Sequence, residues 1–253
     1  MKISNYIKQQ RPVLFRYFGS KQKLAPMYPA PLYDIVIEPF CGAAGYSCWH
    51  HQRRVILYEK DPITFGTVHY LIHATPEEIM RLPRMYEEGA SVDDYNIPQE
   101  AKWLMGFWIG VGDVMPRKTK SPWSRGNYSG VWSEDTIRRV AHTVRRIKHW
   151  KVYNKSWEDI DPNRYGPATW FVDPPYQEAG KQYRLGPEQI NFPKLGEWCR
   201  ALPGQVIACE NRGADWLPFR DLYLAQANNY NQGGRVEVIW TKGCRKVGFG
   251  LVP

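Results

Sequence analysis

"TWFVDPPYQEAG" (169–180) decides how the rest of the chain is read. Thr169, Trp170, Phe171 and Val172 carry the branched and aromatic side chains that pack well on a pleated surface, and they predict a short buried strand. Pro174 and Pro175 have no N–H to donate to a ladder, so the strand must end near Asp173. That accounts for the boundary. It leaves unexplained why a carboxylate, two rigid residues and Tyr176 follow one another at a strand end.

Similar apolar runs lie on both sides. "DIVIEPF" (34–40) and "RRVILYEKD" (53–61) are separated by a small-residue turn and a stretch of helix length, which is how consecutive parallel strands of an α/β sheet read. "QVIACEN" (205–211) follows the opening strand across "PEQINFPKLGEWCRAL", an interrupted helix, so the strand-helix rhythm resumes. "RVEVIWTK" (235–242) and "KVGFGLV" (246–252), joined at Gly243, read as an antiparallel hairpin. The expected fold is α/β, a Rossmann-like sheet whose carboxyl-terminal edge is antiparallel.

The stretch between the two halves is different and mainly helical. It contains "PQEAKWLMGFWIGVG" and "SEDTIRRVAHTVRRIKHW". In the second, Ile137, Val140, Ala141, Val144 and Ile147 recur at helical spacing, Ser133 is a natural amino-terminal cap, and Glu134 and Asp135 suit the positive end of the dipole. Arg138, Arg139, Arg145, Arg146 and Lys148 give this helix a basic face, read equally as a solvated surface or a contact for a polyanion. Before it, "PRKTKSPWSRGNYSGVW" (116–132) mixes Arg117, Lys118, Lys120 and Arg125 with Trp123, Tyr128 and Trp132. Cations for phosphates and aromatic rings for nucleobases make this the candidate nucleic-acid contact; the plainer reading is a basic surface loop. Residues 1–74 and 150–253 are assigned to one domain, with 75–149 inserted into it.

Composition agrees with that reading. The chain has 253 residues, enough for one large core with an insertion, and carries 34 Lys and Arg against 25 Asp and Glu. A basic balance suits a polyanionic partner. Cys41, Cys48, Cys199, Cys209 and Cys244 are odd in number and form no C-x-x-C pair, so they read as reduced thiols and not as a zinc site. "MKISNYIKQQRPVLF" lacks an apolar core of signal-peptide length, and no run is long enough to span a membrane; a soluble cytoplasmic protein is expected.

Two further stretches carry chemistry. "IEPFCGAAGYS" (37–47) places small residues directly after a strand, where a ligand can approach the backbone closely, and Glu59 ends the next strand, where a carboxylate can accept from ribose hydroxyls. With "FRYFGSKQKL" near the start and "DPPY" at 173–176, these four islands stand in the order found in Dam-like DNA adenine-N6 methyltransferases, which the chain resembles from about residue 15 onward. The resemblance implies S-adenosylmethionine (SAM) as cofactor, no metal, and transfer of a methyl group to an adenine in double-stranded DNA by a monomer or by a dimer on DNA. It is similar to methylases carried by phages and mobile elements, which implies a solitary enzyme.

The resemblance also implies roles. Tyr17 falls beside the SAM adenine, and Lys21 matches the lysine of a G-G-K motif that here reads Gly19-Ser20-Lys21. Glu38, Pro39, Phe40 and Gly42 match the loop around the methionine part of SAM, with Ala44 where many relatives have a second glycine. Glu59 takes the ribose position, and Ser156 in "YNKSWEDI" stands where an aspartate often lines the adenine pocket. Asp173, Pro174, Pro175 and Tyr176 are the implied catalytic residues, while Arg117, Lys118, Lys120, Trp123, Arg125 and Tyr128 would meet nucleic acid. Adenine in RNA, the cytosine amine, and an inactive DNA-binding homologue are the alternatives.

Overall fold

β1 (Ile35–Glu38), β2 (Arg54–Tyr58), β3 (Lys151–Tyr153), β4 (Ala168–Val172), β5 (Gly204–Asn211), β6 (Arg220–Asp221) and β7 (Glu237–Lys242) form one sheet in the order β3-β2-β1-β4-β5-β7-β6. The structure is a computed structural model that describes residues 11–85, 89–110, 112–120, 131–222 and 236–244. β1 to β5 pair in parallel, and β7 runs antiparallel between β5 and β6. The order and pairing make a Rossmann-like α/β sheet with the antiparallel carboxyl-terminal strand in place. The second arm of the expected hairpin, 246–252, lies outside the described residues; among those described, β6 is the outer partner of β7.

Continuous apolar runs are what parallel strands need when both faces are covered. All five residues of β4 are buried, and neighbouring positions feed opposite layers: Phe171 belongs to one apolar cluster, Trp170 and Val172 to the other. On one face lie α1 (Gly45–Trp49), α2 (Pro62–His73), α4 (Gln99–Gly110) and α5 (Glu134–Arg146), whose Cys48, Leu71, Leu104 and Ile137 share a core with Val36, Val55 and Ile207. On the other, α6 (Phe192–Ala201) packs Leu195 and Cys199 against Ile37, Ile56 and Val206. The interrupted helix of the sequence is a 3-10 turn at Pro187–Gln189 followed by α6, because the Asn191 side chain accepts from Lys194 N–H and restarts the helix.

The central region docks on the sheet. α3 (Pro76–Arg81) is capped by Thr75 and Glu78 in a reciprocal box, and it packs on α5. Ser133 caps α5 by accepting from Thr136 N–H, as the sequence predicts. The buried side chains of α4 and α5 join the same core as the sheet, so the region shares its stabilising surface with the rest of the chain. No helix of the described residues is long and apolar enough to cross a membrane. The cysteines are all free, four of them buried.

Candidate active site

Strand ends converge on the site. β1 delivers Glu38, β2 delivers Glu59 one residue past its end, and β4 delivers Asp173. A cleft of about 800 Å³ opens there, within the range of small-molecule sites. It is lined by every residue that the resemblance assigns to cofactor or chemistry: Tyr17, Lys21, Glu38, Pro39, Phe40, Gly42, Glu59, Ser156 and Asp173 through Tyr176.

The loop after β1 is shaped by close approach. Gly42 has φ +46, and a Cβ there would meet the Tyr17 ring at 3.2 Å, so Tyr17 lies directly on this loop. A Cβ on Gly45 would fall 2.7 Å from Gln22 N and 2.8 Å from Lys21 N. The bare glycine is what lets the "GSKQ" backbone press on the loop and carry Lys21 inward. Between them Ala44 sits at φ 48, ψ 48, the left-handed conformation that glycine adopts freely and that costs other residues about 1–2 kcal/mol. Ala44 is also the amino-terminal cap of α1 and has no side chain to cap with. Glu38 caps in its place, its Oε1 accepting from Ser47 N–H at 2.7 Å. Burial lifts the Glu38 carboxyl to about 8, against the pull of the Ser47 bonds.

Glu59 is held from two sides. Gly42 N–H donates to one carboxylate oxygen at 3.0 Å and Asp61 N–H to the other at 2.9 Å. Burial raises this carboxyl to about 7, and those two bonds oppose the rise. Oε2 also accepts from the Cys41 thiol at 3.9 Å, and Oε1 keeps a lone pair for a further donor. Ser156 caps a 3-10 turn, and Asp159 closes the capping box by accepting from Ser156 N–H at 3.0 Å.

At the end of β4, Lys21 Nζ lies 2.8 Å from Asp173 Oδ1. The contact is an ion pair, and among the described residues Oδ1 is buried and open to a further donor. Burial raises the Asp173 carboxyl to about 6; Lys21 pulls it down and Glu237 adds to the rise. Burial works against the Lys21 ammonium too, but Asp173 and Glu237 outweigh it and hold its pKa above the ordinary value. The same ammonium lies 4.6 Å from the centre of the Tyr176 ring. Among the described residues nothing donates to the Pro174 carbonyl.

The sequence did not single out the residues that brace this turn. Glu237 Oε1, on β7, accepts from the Tyr176 hydroxyl at 2.6 Å and from the Tyr28 hydroxyl at 2.7 Å. Glu210, on the paired strand β5, accepts from Gln177 N–H at 2.7 Å. Two carboxylates from adjoining strands thus hold the ring and the backbone of the tetrapeptide. Gly180 closes the turn: its N–H donates to Tyr176 O at 2.8 Å, and a Cβ there would strike Tyr176 N at 2.6 Å. The segment beyond is tied to both walls, Tyr183 hydroxyl donating to Phe18 O (3.0 Å) and Arg184 Nε to Asp61 Oδ2 (2.6 Å). Glu210 was visible only as a strand-end acid, and Glu237 as one charge in an apolar strand.

No family model matches the chain, and no curated protein does. Among solved structures it is similar to the rRNA methyltransferase AviRa from Streptomyces viridochromogenes, with a TM-score of 0.38 and 15% sequence identity over 83% of this chain and 76% of that one.

Arg117, Lys118 and Lys120 of the basic segment do not line the cleft, although Arg117 lines a neighbouring pocket that shares Phe18, Gly112 and Val114 with it. Arg117 Nε donates to Asp113, Lys118 pairs with Asp93 at 2.6 Å, and Lys120 Nζ donates to Met85 O, so each already has a partner in the chain. Lys118 O also accepts from Val92 N–H, and Ser91 bridges to Thr119, which fixes this strip against the turn at 91–94. Trp123, Arg125 and Tyr128 lie outside the described residues.

Proposed function

We propose that the protein transfers a methyl group from SAM to the N6 amine of an adenine flipped out of double-stranded DNA. The observation that carries this reading is that Asp173-Pro174-Pro175-Tyr176 and the loops after β1 and β2 line one cleft. The residues fit the cofactor: the free lone pair of Glu59 Oε1 suits a ribose hydroxyl, the Gly42 loop offers bare backbone, and among the described residues the buried Ser20 Oγ lacks a hydrogen-bond partner. Tyr17 and Ser156 would flank the adenosyl group, with Glu38, Pro39 and Phe40 beside the methionine part. Bound SAM supplies a methyl group already activated on a sulfonium.

What the chain adds is orientation and charge. The N6 lone pair is delocalised into the adenine ring, and the amine must become more tetrahedral before it attacks. Asp173 accepts one N–H of that amine and the Pro174 carbonyl the other. Two acceptors fixed by a rigid backbone favour the geometry reached in the transition state, where stabilisation accelerates chemistry. The Tyr176 ring offsets part of the stacking lost when the base leaves the duplex, and Glu237 fixes the plane of that ring. With Lys21 at its side, Asp173 stays ionised at neutral pH and accepts. Aspartate at 173 favours adenine in DNA over the alternatives.

Calorimetric titration with SAM, followed by transfer of labelled methyl to duplex DNA, to RNA and to neither, tests the proposal. Saturable SAM binding with label on DNA adenine is the expected result. Label on RNA alone would move the substrate, and binding without transfer to any nucleic acid would leave a DNA-binding homologue.

A further inference from the structure

The basic face of α5 is not one surface. Arg138 pairs with Glu134 one turn back at 2.7 Å, and Arg145 reaches Glu77 at 3.9 Å. Lys148 turns under the helix end of α2, its Nζ donating to Ile72 O (2.9 Å) and Ala74 O (2.5 Å). Arg139 does something else. Its guanidinium lies 5.8 Å from the centre of the Trp108 ring, and Arg16, from the segment before "YFGSK", lies 5.7 Å from the same centre. Arg11 joins them, 4.6 Å from the centre of the Trp49 ring and donating to Gln22 O at 2.9 Å. All three arginines line the cleft that holds Asp173.

This group is electrostatically incomplete among the described residues. Among the described residues, no carboxylate pairs with Arg11, Arg16 or Arg139. Burial first, and the Arg139 charge in addition, lower the pKa of both Arg11 and Arg16. The wall also holds donors that lack hydrogen-bond partners among the described residues: Arg11 Nε, Gln22 Nε2 and the indole N–H of Trp108, a residue only 1% exposed. Buried polar groups ordinarily find partners, and these are all donors around like charges. What completes such a set is an anion with several acceptor oxygens, matched by planar guanidinium forks.

We propose that Arg11, Arg16 and Arg139 clamp a phosphodiester of the strand whose nucleotide enters the cleft. The inference rests on the methyl-transfer reading and names a contact that it needs. A base that leaves the duplex for Asp173 stays bonded to its sugar and phosphate, so the same cleft must receive backbone charge at its rim. The aromatic faces of Trp108 and Trp49 hold the guanidiniums in place before the strand arrives. The clamp is therefore indifferent to sequence, and base choice lies elsewhere.

The test measures binding of a fluorescent random-sequence duplex over a range of salt concentrations for the wild type, Arg16→Ala, Arg139→Ala and, as a control on the same helix, Arg138→Ala. Each protein is also titrated with SAM by calorimetry, and its melting is followed by circular dichroism. Arg139 is exposed, so its variant keeps the fold even if Arg16→Ala does not. Expected are weaker binding to every duplex and a slope of log K against log salt flatter by about one for Arg16→Ala and for Arg139→Ala. Arg138→Ala should match the wild type, and SAM affinity should be unchanged throughout. Wild-type slopes in both cleft variants overturn the clamp, even where SAM binding and methyl transfer are intact. A fall in SAM affinity at unchanged duplex slope also overturns it and assigns the arginines to the carboxylate of the donor. Flattened slopes in a protein that binds no SAM support the clamp and overturn methyl transfer.

Discussion

Two ion pairs of nearly equal length occupy opposite environments. Lys21 and Asp173 meet at 2.8 Å with side chains 7% and 17% exposed, whereas Lys118 and Asp93 meet at 2.6 Å with 75% and 44% exposed. The surface pair is screened and exchanges its partner for water or a phosphate at little cost. The buried pair has lost its hydration, and among the described residues neither charge has a second ion-pair partner. Contact length therefore says little about what a pair does. On the function proposed above, the buried pair beside the rigid turn belongs to the site, and the exposed pair belongs to a surface where a phosphate would replace the carboxylate.

Breaking the buried pair gives the largest expected effect. Asp173→Ala leaves the Lys21 ammonium buried and unpaired, which costs about 3–5 kcal/mol of stability. Chemical denaturation measures it, and Lys21→Met in the same chain should recover most of the loss. Unchanged stability in the single variant would mean that the pair is better hydrated than its burial implies.

A smaller effect separates the pair from the backbone that delivers it. Gly45→Ala puts a Cβ into the Lys21–Gln22 backbone and should cost about 1–3 kcal/mol while weakening SAM binding. Retained SAM affinity would show that Lys21 reaches the cleft by another route.

Titration sharpens the contrast further. Burial raises Glu38 to about 8, Glu59 and Glu210 to about 7, and Asp173 to about 6. Between the ordinary carboxylate range and those values these four acids bind more protons folded than unfolded, so the stability they contribute is greatest at the acid end of that window and falls as pH rises through it; His50, which burial lowers to about 4, works in the opposite sense, as do His51, His69 and His142. Scanning calorimetry of the wild type and Glu210→Gln should find that going from about pH 5.5 to about pH 8 lowers Tm less, or raises it more, in the variant; an identical pH dependence would contradict the burial of this acid. The smallest expected effect is on the surface. Lys118→Ala should leave Tm unchanged and flatten the salt dependence of duplex binding by about one.

Much of this was legible in the chain. The strands β1, β2, β4 and β5 are buried on both faces, so each is a continuous apolar run that Pro or a small-residue turn ends. β3 and β6 escaped because Lys151–Tyr153 and Arg220–Asp221 are short and lack a buried residue. The residues that line the cleft were legible where the pattern is local, as in the "DPPY" turn and the glycines around the start of α1. Glu237 was not, because its bond to Tyr176 spans 61 residues and exists only once β7 pairs with β5. Arg139 was one of five similar cations on a helix, and only packing against Trp108 set it apart.

The most direct test of the central claim is mass spectrometry of nucleosides in DNA from cells that express the wild type or Asp173→Asn. The variant keeps the shape of the side chain and loses the charge that Lys21 and the amine share. N6-methyladenine should be abundant in DNA with the wild type and fall by about 100-fold or more with the variant. Equal methylation by both proteins, or none by a wild type that binds SAM, would contradict the account.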